Sequence, residues 1–269
     1  MALALDRTLV QIRERSFLGL LDLALVVVRR RPVILGLTAV VGVAPWAVLD
    51  AWLLARIPDD EMAPLVLFVL IAIEAAPATA PLTVVLGELM FGARPTIGRT
   101  IVTLVRNLPG LLMYQVLLRS VLIFPLWFLS PLIPARLGFL NEVILLERGR
   151  WRSALRRSAA LSGGQGMVLI GRWLAQGGFG TLFVVAFWIA GAKALRMLAG
   201  GDLTWEGPDT VGAAVTGPRA QAGIWIAVAF FAVVRFLTYI DQRIRIEGWE
   251  VELRLRAVGA AMREDAERW

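Results

Sequence analysis

The chain contains no cysteine and no histidine. Without thiols there is no disulfide, no thiolate metal site and no cysteine nucleophile. Without imidazole there is no histidine general base, no Ser-His-Asp triad and no histidine metal ligand. Carboxylate-only metal sites stay open in principle, but the apolar stretches carry no compact acidic cluster. No catalytic residue, cofactor or metal is therefore expected, and the chain reads as a non-enzyme. Lysine is almost missing too: Lys193 is the single one among 28 basic residues, the usage expected of a GC-rich genome.

What the chain has in excess is apolar side chains. A hydrophobic fraction of 58% and a mean hydropathy of +0.71 exceed what a soluble domain of 269 residues can cover with polar surface. The expected fold class is all-α: an integral membrane helical bundle forming one polytopic domain over 1–269. The net charge of +7 has a pattern. Four blocks, 1–31, 91–108, 147–165 and 241–269, hold 20 of the 28 basic residues. Cytoplasmic loops carry the arginine and lysine excess, so all four blocks belong on one side. An even number of crossings must then separate consecutive blocks, which gives about six transmembrane helices with both termini cytoplasmic. The same blocks suit anionic lipid headgroups of a bacterial cytoplasmic membrane. No separate basic soluble domain exists to carry nucleic acid, so none is expected as a partner.

The N-terminal part, 1–31, reads as cytoplasmic or interfacial. Its apolar run Phe17–Val28 rises only about 18 Å against a hydrocarbon core of about 30 Å. Pro32 suits the first turn of the next helix. The bundle proper covers 33–240, with spans expected near 33–54, 64–91, 110–127, 132–146, 167–190 and 222–240. Pro77 and Pro81 should kink the second. Short amphipathic helices are expected on the inner face at 94–106, opened by Pro95 or Thr96, and around Trp151–Leu161, ended by Gly163-Gly164. A region rich in Gly and Pro, 191–221, reads as the long outer loop, and 241–269 as a charged cytoplasmic tail helix. Parity demands a hairpin between 110 and 146; a re-entrant, protein-buried segment is the alternative. A short inner helix followed by two spans recurs over 17–91, 94–147 and 150–241, a possible threefold pseudo-repeat.

Charges at membrane depth cost about 2.5–3.5 kcal/mol each on insertion scales, so each needs a partner or an escape route. Arg172 and Arg235 are close enough to the inner boundary to snorkel. Glu74 and Arg119 are not, and form a candidate intramembrane pair, either a structural ion pair or a substrate or proton site. Arg136, Asn141 and Glu142 are further polar residues within the fourth span. Trp52, Trp127, Trp188 and Trp225 map to the outer boundary as an aromatic belt. Gly177, Gly178 and Gly180 suit close helix packing.

Two stretches are more distinctive. The tail Tyr239-Ile-Asp241-Gln-Arg243-Ile-Arg245-Ile-Glu247-Gly248 and the block Glu147 with Ala154-Leu155-Arg156-Arg157-Ser158, Leu161 and Gly164 resemble the membrane domain of the glycerophosphoryl diester phosphodiesterase family. Gly92 to Arg106 resembles that family's earlier inner-loop helix. The resemblance implies a six-span membrane domain and no hydrolase, because the family's activity belongs to a separate barrel that uses His and acidic residues. A barrel of about 250 residues does not fit here. It also implies that Asp241, Arg243, Arg245, Glu247 and Gly248 form a cytoplasmic corner, against which Arg156 and Arg157 could pair. The functional expectation is a membrane protein that organises or assists a membrane-associated complex, with a membrane protein as possible partner. The alternative is a transporter or lipid-handling protein with a polar cavity near Glu74, Arg119 and Arg136.

Overall fold

A computed structural model describes residues 16–57, 62–90, 95–117, 120, 132–147, 151–198 and 211–247. The fold is all-helical among these residues. In order the elements are α1 (Phe17–Arg30), α2 (Pro32–Leu54), α3 (Ala63–Ala78), α4 (Ala80–Met90) and α5 (Ile97–Leu111). A π-helical turn at Leu112–Leu117 follows, then α6 (Leu132–Arg136), α7 (Leu140–Leu146), α8 (Trp151–Leu161), α9 (Gly166–Leu198), α10 (Val211–Thr216) and α11 (Pro218–Glu247).

Local chemistry sets most boundaries. Ser16 caps α1, its Oγ accepting from the Gly19 N–H at 3.2 Å, and Pro32 occupies the first turn of α2, where its missing N–H costs nothing. The expected proline kink is a break: α3 and α4 meet at Thr79, between Pro77 and Pro81. Thr79 Oγ1 donates to the Ala75 carbonyl at 2.7 Å, satisfying one group near the break. The left-handed conformation that ends α8 falls on Gly164, φ +75°, which glycine adopts without strain. α5 does not stop before Pro109 as expected. It runs through that proline and passes directly into the π-helical turn, a register change that accommodates a helix interrupted by a residue with no N–H.

Among the described residues four stretches are long and apolar enough to cross a membrane: Pro32–Leu54, Ala63–Met90, Gly166–Ala194 and Pro218–Ile246. This corrects the expected six. The span expected at 132–146 is two short helices, α6 and α7, interrupted at 137–139. Much of the span expected at 110–127 lies outside the described residues. The outer loop expected at 191–221 begins later, because α9 continues to Leu198. The expected span at 222–240 and the start of the tail are one continuous helix, α11; residues 248–269 lie outside the described residues.

α11 is the central column. It packs against α1, α2, α4, α8, α9 and α10, and its C-terminal half is buried almost without interruption from Ala232 to Gln242. The α9–α11 contact is close because Gly223 faces the Phe187 ring and Gly180 faces Phe231. Gly177 and Gly178 have no neighbour there. Much of α2 and α9 faces outward with apolar side chains, including Val33, Val41, Val48, Met167, Leu174 and Leu182. Continuous apolar surface of that kind is a liability in water and is compatible with a multi-pass membrane protein.

Cross-helix contacts orient the chain. Asp50, late in α2, and Glu74 of α3 lie by Trp225, early in α11. Thr79 reaches Arg235, further along α11. Gln165, just before α9, accepts from Gln242 Nε2 at 2.8 Å. The start of α2, the end of α4, the start of α9 and the end of α11 therefore share one end of the bundle. α8 joins them through Arg157, which pairs with Glu147 beside Tyr239. The described parts of the four arginine blocks, 16–31, 95–108, 147 with 151–165, and 241–247, map to this end, called here the arginine end. α6 is there too: Ser158 Oγ on α8 donates to the Arg136 carbonyl at 2.9 Å, and Ala135 lies against Gly166. A span starting at 132 from the opposite end is incompatible with both contacts.

Two glycines on α2 give a test of the packing. A Cβ on Gly42 would collide with the Ala78 carbonyl oxygen and Pro81, whereas nothing lies within 4 Å of one on Gly36. Gly42→Ala should destabilise the detergent-solubilised protein by about 1–3 kcal/mol, because backbone must move. Gly36→Ala should be neutral or stabilising by up to about 1 kcal/mol. Thermal unfolding of the two variants checks the difference.

Candidate functional site

The apolar bundle buries polar side chains in two places. The first is at the arginine end, where α4, α7, α8 and α11 meet. Glu142 on α7 is fully buried. Its Oε1 accepts from Arg235 Nε at 2.7 Å, and Arg235 Nη2 donates to Thr79 Oγ1 at 3.1 Å. One guanidinium thus ties α11 to α7 and to the break between α3 and α4. Losing one partner of such a buried pair costs about 3–5 kcal/mol, since the other charge is left uncompensated. Asn141, beside Glu142, is buried with no protein partner for either end of its amide.

One turn further along, Glu147 collects three donors. Arg157 Nε donates to its Oε2 at 2.7 Å, and the Tyr239 hydroxyl donates to its Oε1 at 2.6 Å. Arg243 Nε lies 3.8 Å from the same carboxylate and its guanidinium stands over the Tyr239 ring. Phe139 packs on that ring at a centroid distance of 6.2 Å. Burial pushes the Glu147 carboxyl upward, but the hydrogen bonds from Arg157 and Tyr239 and the charges of Arg157 and Arg243 outweigh it and hold it below its ordinary value. Asp241 accepts from Arg245 Nε at 3.0 Å along the same helix.

Among the described residues of the expected corner, Arg157 engages Glu147 and Asp241 accepts from Arg245. Arg156 points outward and is exposed, as are Arg152 and Arg136. The Glu247 side chain and Gly248 lie outside the described residues. Glu147, the centre of the corner, was not among the expected site residues; the signal available was its separation of ten residues from Arg157 across the short connector to α8.

The second place is nearer the other end, between α2, α3 and α11. Here Asp50 is fully buried, Glu74 is 4% exposed and Trp225 is 4% exposed. The Asp50 carboxyl faces Glu74 and the indole N–H of Trp225, yet neither Asp50 oxygen, nor Glu74 Oε2, nor Trp225 Nε1 completes a hydrogen bond. Glu74 was expected to meet Arg119, which lies outside the described residues. Arg136 belongs to the arginine end, remote from Glu74. Trp225, expected in the aromatic belt of the outer boundary, lies near that end of α11 but is buried. Arg172 and Arg235 do not simply snorkel. Arg235 is paired with Glu142, and Arg172 lies in the field of Asp241 and Arg245.

No group of three metal-type ligands occurs among the described residues. The chain is a largely helical protein without obvious catalytic machinery among them. No protein-family model, curated protein or solved structure matches it.

The depressed Glu147 carboxyl fixes the sign of a pH dependence. A carboxyl held lower in the folded state stabilises fully above its unfolded value, about 4.3, and that contribution is lost as pH falls through the folded value. Glu147→Gln should cost about 2 kcal/mol at pH 7, and the gap to the parent should close only in acid below the ordinary glutamate range. Unfolding midpoints of both proteins against pH check this.

Proposed function

We propose that this chain is a non-enzymatic multi-pass protein of a bacterial cytoplasmic membrane that organises or assists a membrane-associated complex. Four helices cross, and the arginine end with both termini faces the cytoplasm. The observation that carries this is the gathering of the described parts of all four basic blocks at one end of a bundle whose long helices are apolar outside. Segregation of arginine to one end of crossing helices matches the rule for cytoplasmic loops. On this reading 97–147 enters the bundle from the cytoplasmic side and returns to it, which keeps the parity of the basic blocks with four crossings.

The ion pairs at this end sort its arginines into two sets. Arg157, Arg235 and Arg243 bind internal carboxylates. Arg29, Arg30, Arg31, Arg136, Arg152 and Arg156 are exposed and are suited to anionic lipid headgroups or an acidic face of a protein partner. A rigid, ion-paired platform with outward arginines is what a docking role at the membrane surface needs. A transport or lipid-handling role is the second reading, and the buried Asp50–Glu74 pair favours it.

The chain lacks native thiols, so single cysteines report sidedness cleanly. Arg136→Cys and Arg156→Cys should react from the cytoplasm and Met62→Cys from the opposite side. Labelling of Arg136→Cys together with Met62→Cys would restore a crossing at 132–146 and sink the four-span arrangement. For the role itself, the parent should melt higher in nanodiscs containing phosphatidylglycerol than in zwitterionic ones. Arg152→Glu with Arg156→Glu should remove most of that difference; an undiminished difference argues against these arginines as the lipid contact.

A further inference from the structure

Away from the arginine end, the bundle buries two carboxyl groups side by side, with no cation on them among the described residues. Asp50 has no exposed surface and Glu74 almost none. The elements packed around them are α4, α10, α11 and the π-helical turn. Among the described residues, the groups from these elements and from α2 and α3 that act on the pair are the two carboxyls themselves and Trp225. The Trp225 N–H is an independent sign of unmet demand. It is buried, directed at Asp50, and without a hydrogen bond.

Two carboxylates in contact in apolar surroundings repel, and one of such a pair takes up a proton. A metal ion is the poorer occupant. Hard cations take about six or more oxygens, and no third acidic ligand stands by this pair among the described residues. A proton needs only the two carboxyls. Protonated, Glu74 becomes a donor to Asp50, and Asp50 keeps a second oxygen for the Trp225 N–H.

We propose that Asp50 and Glu74 form a proton-binding site that holds one exchangeable proton between them, with Trp225 marking Asp50 as the member that stays ionised. Asp50 stands four residues before the end of α2, about 6 Å along the helix axis, so the site exchanges with the side opposite the arginine end. α10 packs on α3 and α11 at that end. This inference does not depend on the docking role proposed above.

The test is the infrared spectrum of the full chain in nanodiscs at neutral pH, with thermal unfolding of the same samples. Glutamine copies the shape of a protonated glutamate, so Glu74→Gln should be as thermostable as the parent. It should lack a protonated-carboxyl stretch that the parent shows and that shifts in heavy water. Trp225→Phe should move the titration of that band to higher pH, because ionised Asp50 loses its donor. A parent without the band, or a Glu74→Gln protein much less stable than the parent, overturns the proposal: Glu74 is then ionised and ion-paired, as expected from sequence with Arg119. Loss of the band when sodium is added at constant pH also overturns it, in favour of an alkali-metal site.

Discussion

The buried ion pair between Arg235 and Glu142 is the constraint on which the rest of the bundle depends. A guanidinium inside an apolar bundle must meet a carboxylate, and here the carboxylate sits on a helix of seven residues that could not hold itself in place alone. The pair therefore fixes α7 against the middle of α11. The second arm of the same guanidinium reaches Thr79, at the one point where the second crossing is broken by prolines. Three irregular features, a short helix, a helix break and a buried charge, share one side chain. Each would be unfavourable without the others.

The two ends of the bundle satisfy their polar groups in opposite ways. At the arginine end, carboxylates outnumbered by cations form shared networks, and the surplus arginines point outward. At the other end, α2, α3 and α11 pack through apolar contact around two acids that meet no cation among the described residues. A bundle held rigidly at one end and by packing alone at the other can move most easily at the second. That asymmetry fits a fixed cytoplasmic platform and puts the titratable pair in the part of the molecule with more freedom.

Where helices exist, and what starts and stops them, was largely legible in the sequence. Pro32, the Pro77–Pro81 pair, Thr96 and Gly164 act through their own backbone chemistry, so they mark boundaries without tertiary context. The clustering of arginine into blocks is likewise read from the sequence without tertiary context. Partners were not legible. In α2, α3 and α11 nearly every face is apolar, so periodicity does not say which face turns inward. Trp225 read as a belt residue and not as a neighbour of Asp50 for that reason. The second half of the hairpin expected at 110–146 is a different case: parity of charge blocks is satisfied equally by two crossings and by none, and hydropathy does not distinguish α7, buried by protein, from a helix buried by lipid.

The central position of α11 also has a consequence for biosynthesis. Glu142 emerges 93 residues before Arg235, a delay of about 5–20 s at ordinary elongation rates. Glu147 waits a similar interval for Tyr239. Throughout that interval Glu142 lacks the cation it is buried with, and the earlier helices have no column to pack on. α7 can reach its buried place only after the ribosome has delivered α11, so the early helices must be kept in a provisional, wetter arrangement, at the translocon exit or the membrane surface. Ribosome stalling or premature termination between 147 and 235 would leave an assembly whose exposed carboxylates advertise it to membrane proteases.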